Sequence, residues 1–288
     1  MTIASSAVLV ELNISVWTAA CVDKRVTDSV LSAHGAGTSD AGQFRKNLMA
    51  GTPVRKHIVD FAANCRLWHS ARTLPWADRG TRLLPTSLFI DYKAEANKRR
   101  SQFELMVDRF IQDYPQLQAT AQQNLGAMYD PADYPSTEEV AQKFGFRLTF
   151  LPLPEAGDFR LDVAKEELED LRKQYDSALS ARVEEAMQSQ WERLHTMLTG
   201  MVNKLTDPET DGDTEVKRRW HDTFITNAQD LCEMLSHLNV TKNVDLEEAR
   251  LKLQAAIAGV GIEDIKESAG VRADVRERLA GILKDYEW

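Results

Sequence analysis

The sequence is poor in the residues that carry most recognisable chemistry. Its three cysteines, Cys21, Cys65 and Cys232, are an odd number spread far apart with no C-x-x-C pair, which excludes a disulfide framework and points to a reducing compartment. Six histidines are scattered, and only Cys65 and His69 stand four residues apart; two ligands do not close a tetrahedral zinc site. Gly37 and Gly42 have the spacing of a phosphate-binding loop, but Gln43 stands where its lysine belongs. There is no G-x-S-x-G elbow and no cluster of His with carboxylates suited to general acid and base work. The expectation is therefore a protein that is not an enzyme, with no catalytic, cofactor or metal site. No apolar run approaches the ~18 residues of a spanning helix, so no membrane is expected. The opening MTIASSAVLVELNISVW carries no Lys or Arg ahead of its apolar run, unlike an export signal. The expected location is cytoplasmic.

A chain of 288 residues can bury a sizeable core as one large domain or as two lobes. Its net charge of -9 is unevenly spread: residues 24–109 hold 15 Lys and Arg against 8 Asp and Glu, whereas residues 110–288 hold 20 against 34. Such asymmetry suits a polyanion on the basic part, or attraction between the two parts.

Two segments alternate with the two-residue period of a half-buried strand. One is residues 8–17, with Val10, Leu12, Ile14 and Val16; the other is residues 144–151, with Phe146, Leu148 and Phe150. They are expected to pair as a small two-stranded β element. Nearly all the rest reads as helix: Asp23 to about Ser32, Gln43 to Met49, residues 53–74 with the stripe Val54, Ile58, Phe61, Cys65 and Trp68, and a long helix from Ser87 that Pro115 restarts. LPWADRGTRLLPT between them reads as a loop, and Ser136 with Glu139 forms a capping box.

Beyond Asp158 the pattern is more regular. Leu168, Leu171, Tyr175, Leu179, Val183, Met187, Trp191, Leu194, Leu198, Met201 and Leu205 recur at a mean of 3.7 residues, above the 3.5 of a left-handed coiled coil. A second stripe, Val216, Trp220, Phe224, Leu231, Leu235 and Leu238, follows the acidic DPETDGD. The pair predicts a long antiparallel helical hairpin. DPETDGD itself begins like a calcium loop with Asp207, Glu209, Asp211 and Gly212, but Arg218 occupies the twelfth position, where a bidentate Glu is needed. Asp245 with Glu248 reads as the start of a further helix, and two more close the chain. The fold class is mainly α, a helical bundle, divided into a basic lobe over 1–153 and an acidic bundle over 158–288.

Two binding surfaces are candidates. The segment from Arg55 to Arg100 holds ten basic residues against four acids, with Trp68, Trp76 and Tyr92 interleaved. Single-stranded nucleic acid is held by such a mixture of cations and stacking rings, and Arg72, Trp76, Arg79, Arg82, Lys98, Arg99 and Arg100 are its candidate contacts. The hairpin stripe offers Leu194, Leu198, Met201, Trp220 and Phe224 for self-association, or for the chain's own core.

VELNISVWTAACVDKRV, LPWADRGTRLLP, YDPADYPSTEEVAQKFGFRLTFLPLPEAGDFRLDV and LCEMLSHLNVT together resemble a bacteriophage and prophage family known only as a domain of unknown function. None of these strings holds a catalytic signature. The resemblance implies a phage-encoded protein of the bacterial cytoplasm and a setting beside AAA+ ATPase and DNA-metabolism genes. The expected role is a non-catalytic interaction or assembly protein that forms a homo-oligomer or binds a phage or host protein, an AAA+ ATPase among the candidates; the alternative is a single-stranded DNA annealing or protection protein.

Overall fold

The computed structural model describes residues 3–77, 80–154, 165–206 and 220–288. In chain order these form α1 (Ile3–Ser6), β1 (Ala7–Ser15), β2 (Ala20–Val22), α2 (Lys24–Ala33), β3 (Arg45–Asn47), α3 (Val54–Ala71), β4 (Leu74–Pro75), β5 (Thr81–Pro85), α4 (Phe89–Leu125), α5 (Thr137–Ala141), β6 (Gly145–Leu151), α6 (Lys165–Leu205), α7 (Thr223–Leu238), α8 (Val244–Ile257), α9 (Ile262–Glu267) and α10 (Ala269–Asp285). The protein is mainly α. The expected partners β1 and β6 are neighbours, but in a four-stranded sheet of order β4-β5-β1-β6.

The two extra strands come from the segment that read as a loop. Leu74 pairs with Leu83 and Pro75 with Arg82 in an antiparallel ladder, and Leu74, Leu83 and Leu84 are fully buried. A turn-rich segment that buries three leucines satisfies its backbone more cheaply by pairing than by solvation. Ala7, Leu9 and Val10 are buried without alternation, as befits an interior strand covered on both faces.

Two compact units interleave along the chain, and the expected division near residues 153–158 does not describe them. The first unit comprises Met1–Val10, Ser70–Ile90 and Phe150–Trp288; the second comprises Glu11–His69 and Asp91–Thr149. The chain changes unit inside β1, α3, α4 and β6, within regular elements, where no shift in composition marks a boundary.

In the first unit, one apolar core joins α6, α7, α8, α9 and α10: Leu194, Leu198 and Leu205 meet Leu231, Leu253, Val275 and Leu279, among others. The long stripe of α6 is real, but its two halves differ. Leu168 to Val183 are half-buried, whereas Met187, Leu194, Leu198, Met201 and Leu205 are buried. The most extensive partner of α6 is α10. The second arm of the expected hairpin begins only at Thr223, so α7 has 16 residues against the 41 of α6; Val216 and DPETDGD, with the calcium-like loop, lie outside the described residues. Asn243, rather than Asp245, caps α8, its Oδ1 accepting from the Leu246 N–H at 2.9 Å.

The second unit packs α3, α4 and α5 around Trp17, Ile58, Cys65, Phe103, Phe110 and Tyr114. Here α4 runs unbroken through Pro115. A proline inside a helix costs about 3 kcal/mol, but Phe103, Phe110, Tyr114, Leu117 and Ala121 are buried on both sides of it, and each large apolar side chain contributes about 2 kcal/mol. The expected helix from Gln43 to Met49 is instead β3, paired antiparallel with β2.

Lys46 explains that substitution of strand for helix. Only 6 % exposed, it sits opposite Cys21 in the ladder and places Nζ 3.3 Å from Asp23 Oδ2 and 2.5 Å from Asp133 Oδ2. It also donates to the Met128 carbonyl at 2.8 Å. Burial alone would push its ammonium down, but Asp133 and Asp23 together outweigh burial and raise it above the ordinary lysine value. Asp23 also caps α2; the bond from the Val26 N–H, and then Lys46, hold its carboxyl below the usual range.

The raised lysine stabilises the fold below its unfolded pKa of about 10.4, and this is lost as pH rises through its folded value. The lowered aspartate stabilises above its unfolded pKa of about 3.9, and this is lost on acidification. Lys46→Met strands the buried Asp23 and half-buried Asp133 carboxylates and is expected to cost about 3 kcal/mol at pH 7. That deficit should shrink below about pH 4 as Asp23 protonates; an equal deficit at pH 3 and 7 in urea titrations would remove this account. In the first unit, Leu198→Ala should cost about 3 kcal/mol and Leu179→Ala about 1 kcal/mol or less, read from urea midpoints.

Candidate binding groove

The residues of the basic and aromatic segment from Arg55 to Arg100 are divided between the two units. In the second unit its rings are core. Trp68 is 7 % and Tyr92 2 % exposed, and they stack on each other at 4.6 Å. The Arg99 guanidinium lies 4.9 Å over the Trp68 ring, pairs with Glu95 at 2.8 Å and donates to Asn64 Oδ1 at 2.8 Å. It therefore ties α4 to α3. Lys98 is exposed with Glu95 at 3.9 Å, and Arg100 donates to Asn97 on its own helix.

The Cys65 and His69 pair is likewise structural. Cys65 takes a long bond from Arg99, and His69 Nδ1 lies 2.7 Å from Tyr92 Oη. Among the described residues, no group of three or more His, Cys, Asp or Glu is placed to hold a metal ion. All three thiols are raised above the ordinary cysteine value, chiefly by burial, with Cys232 pushed up to about 11. A thiol that stays protonated at neutral pH is a poor nucleophile.

The remaining candidates fall in the first unit. Trp76 is buried at 7 % exposure and offers no stacking face, and Arg79 lies outside the described residues. Arg82 spans the β4–β5 turn: Nε donates to Thr73 Oγ1 at 2.6 Å and Nη2 to the Thr73 carbonyl at 2.8 Å. Arg72 and Arg82 both line a groove of about 1140 Å³ whose other walls are α6 and α7. Leu194, Leu198, Met201 and Phe224 are buried in the chain's own core, and Trp220 packs against it, which removes them as a surface for a second copy.

The residue that sequence reasoning missed is Arg193. It projects from α6 into the groove, where Nη1 donates to Gln190 Oε1 at 3.0 Å and Nη2 to the Ala71 carbonyl at 3.1 Å. Burial lowers its pKa. Gln190 is 1 % exposed and donates to Ser189 Oγ at 2.8 Å. A signal was present in the spacing: Gln190, Arg193 and Met197 recur at helical intervals beside the main stripe, marking a second face.

Comparison with protein-family models, with curated proteins and with solved structures finds no match for this chain. Among the described residues, no helix is long and apolar enough to cross a membrane.

Arg99→Ala should lower stability by about 1 kcal/mol, through the lost ion pair and the lost cation over Trp68. Anisotropy of a labelled oligonucleotide should be the same for Arg99→Ala and wild type. An unchanged urea midpoint with weakened oligonucleotide binding would reverse this assignment.

Proposed function

We propose that this chain is a non-catalytic interaction protein that holds a segment of another protein in the groove of its first unit. The observation that carries this reading is the groove's lining, which sets the half-buried Met197 and Met234 among charged residues of both signs. Methionine is flexible and polarisable, so a surface built on it adapts to an apolar partner face. Mixed charge at the rim suits a polypeptide, which carries both signs, better than a polyanion, which carries one.

Single-stranded nucleic acid is less well supported. Binding it needs rings with free faces beside the cations, and Trp68, Trp76 and Tyr92 are all buried. Glu192, Asp230 and Glu233 also line the groove and repel phosphate. Self-association through the two hairpin stripes is less well supported for the same kind of reason, since four of the five candidate residues are buried. Under the resemblance to a phage family, the partner is a phage or host protein of the bacterial cytoplasm, an AAA+ ATPase included.

Affinity purification of the tagged full chain from phage-infected bacteria, with and without nuclease, tests the reading. The expected result is a protein that survives nuclease with wild type and falls about tenfold with Met197→Glu, a substitution at a half-buried position. Material that nuclease removes, or a partner held equally by Met197→Glu, would overturn it.

A further inference from the structure

The walls of the groove differ in sign. Among the described residues, the segment from Ser70 to Arg82 contributes Arg72 and Arg82 and no acid, whereas α7 contributes Asp230 and Glu233 and no base. Between them, α6 presents Arg193 together with Glu192 and Lys204, and Lys204 lies 5.6 Å over the Phe224 ring. A guanidinium has five N–H donors, and the bonds to Gln190 and Ala71 engage Arg193 with two neutral acceptors. Among the described residues no carboxylate lies within 4.0 Å of it. Arginine in a partly desolvated site, with its fork held by two neutral oxygens, is arranged for a planar anion to complete. The exposed Asp230 and Glu233 set the opposite preference on the far wall. The half-buried Met197 and Met234 supply apolar surface. At about 1140 Å³ the groove exceeds the ~300–1000 Å³ of an ordinary small-molecule pocket.

We propose that the groove takes an amphipathic helical segment of the partner oriented by charge: an acidic flank seats a carboxylate on Arg193 beside Arg72 and Arg82, the apolar face meets Met197 and Met234, and a basic flank meets Asp230 and Glu233. This rests on the partner-binding reading and names the chemistry of the partner. Helix-in-groove recognition reads apolar anchors at helical spacing, and the two charged walls fix which way the helix lies, because like charges brought together are strongly unfavourable.

The probe is a labelled synthetic amphipathic peptide of about five helical turns, with a leucine stripe, glutamates on one flank and lysines on the other. Two further peptides carry glutamate on both flanks or lysine on both. The full chain should bind the mixed peptide about tenfold more tightly than either uniform one, and Arg193→Gln should remove about tenfold of that affinity. Reversing the α7 wall with Asp230→Lys and Glu233→Lys, both at exposed positions, should transfer the preference to the peptide with two acidic flanks. Should Arg193→Gln fail to fold by circular dichroism, the α7 reversal carries the test alone.

Equal affinity for the three peptides, or a preference that the α7 reversal leaves in place, would sink the charge orientation. So would a labelled oligonucleotide that binds at the same salt and is released by Arg193→Gln, which would assign the cation to phosphate. These results are separable from the affinity purification: a partner lost on Met197→Glu, with no charge preference among the peptides, removes the orientation and leaves the binding role.

Discussion

From Met187 to Leu205, α6 buries a side chain at nearly every turn, and the first unit is organised around that row. A single helix cannot cover such a stripe, and α7, α8, α9 and α10 supply the apolar faces that do so. The most extensive of these packings is with α10, so the core is incomplete without that helix. The consequence for function is geometric. One face of α6 is committed to the core, which leaves the neighbouring face, with Gln190, Arg193 and Met197, to line the groove. The groove is thus built on a helix whose rotation about its own axis is fixed by the leucines behind it.

The second unit rests on a different balance. Its core of rings and aliphatic side chains is joined by a buried ammonium held between Asp23 and Asp133. An ion cluster of this kind is weak evidence for stability, because removing charges from water is expensive, but it strongly specifies geometry, because no other placement satisfies it. It sets the register of β2 against β3 and brings the N-terminus of α2 to the turn around Asp133. Nearby, Gly51 adopts a left-handed backbone conformation, with φ of +79°, and a side chain there would collide with Asn124. Asn124 donates to the Ala50 carbonyl at 2.9 Å, so the turn before α3 is pinned to α4 by a bond only glycine leaves room for.

Much of this was legible beforehand because periodicity reports burial. The α6 stripe, the strands β1 and β6 and the capping box at Ser136 all rest on local spacing, and all are found. What local spacing does not carry is tertiary cost. Pro115 reads as a break because the energy that keeps α4 whole comes from Phe110 and Tyr114 packing elsewhere. Residues 74–85 read as a loop because their strand partners are distant in sequence or separated by a turn. Residues 43–49 read as a helix, since nothing near Lys46 in the sequence announces two carboxylates, one of them 87 positions away. The site suffered the same blindness. Charge counting found Arg72 and Arg82 among the basic run, but grouped them with Arg99, whose guanidinium is spent on Trp68 and Glu95. It passed over Arg193, which stands alone among acids and leucines in the sequence and acquires meaning only where α6 meets Ala71.

The interleaving of the two units bears on ancestry. Each change of unit falls inside a strand or helix, at residues 10–11, 69–70, 90–91 and 149–150, so no single cut in the gene yields either unit entire. Recombination that swaps modules at linkers has nowhere to act without breaking a strand or a helix. An exchange that moved either unit intact would therefore need several crossovers, each inside a strand or a helix.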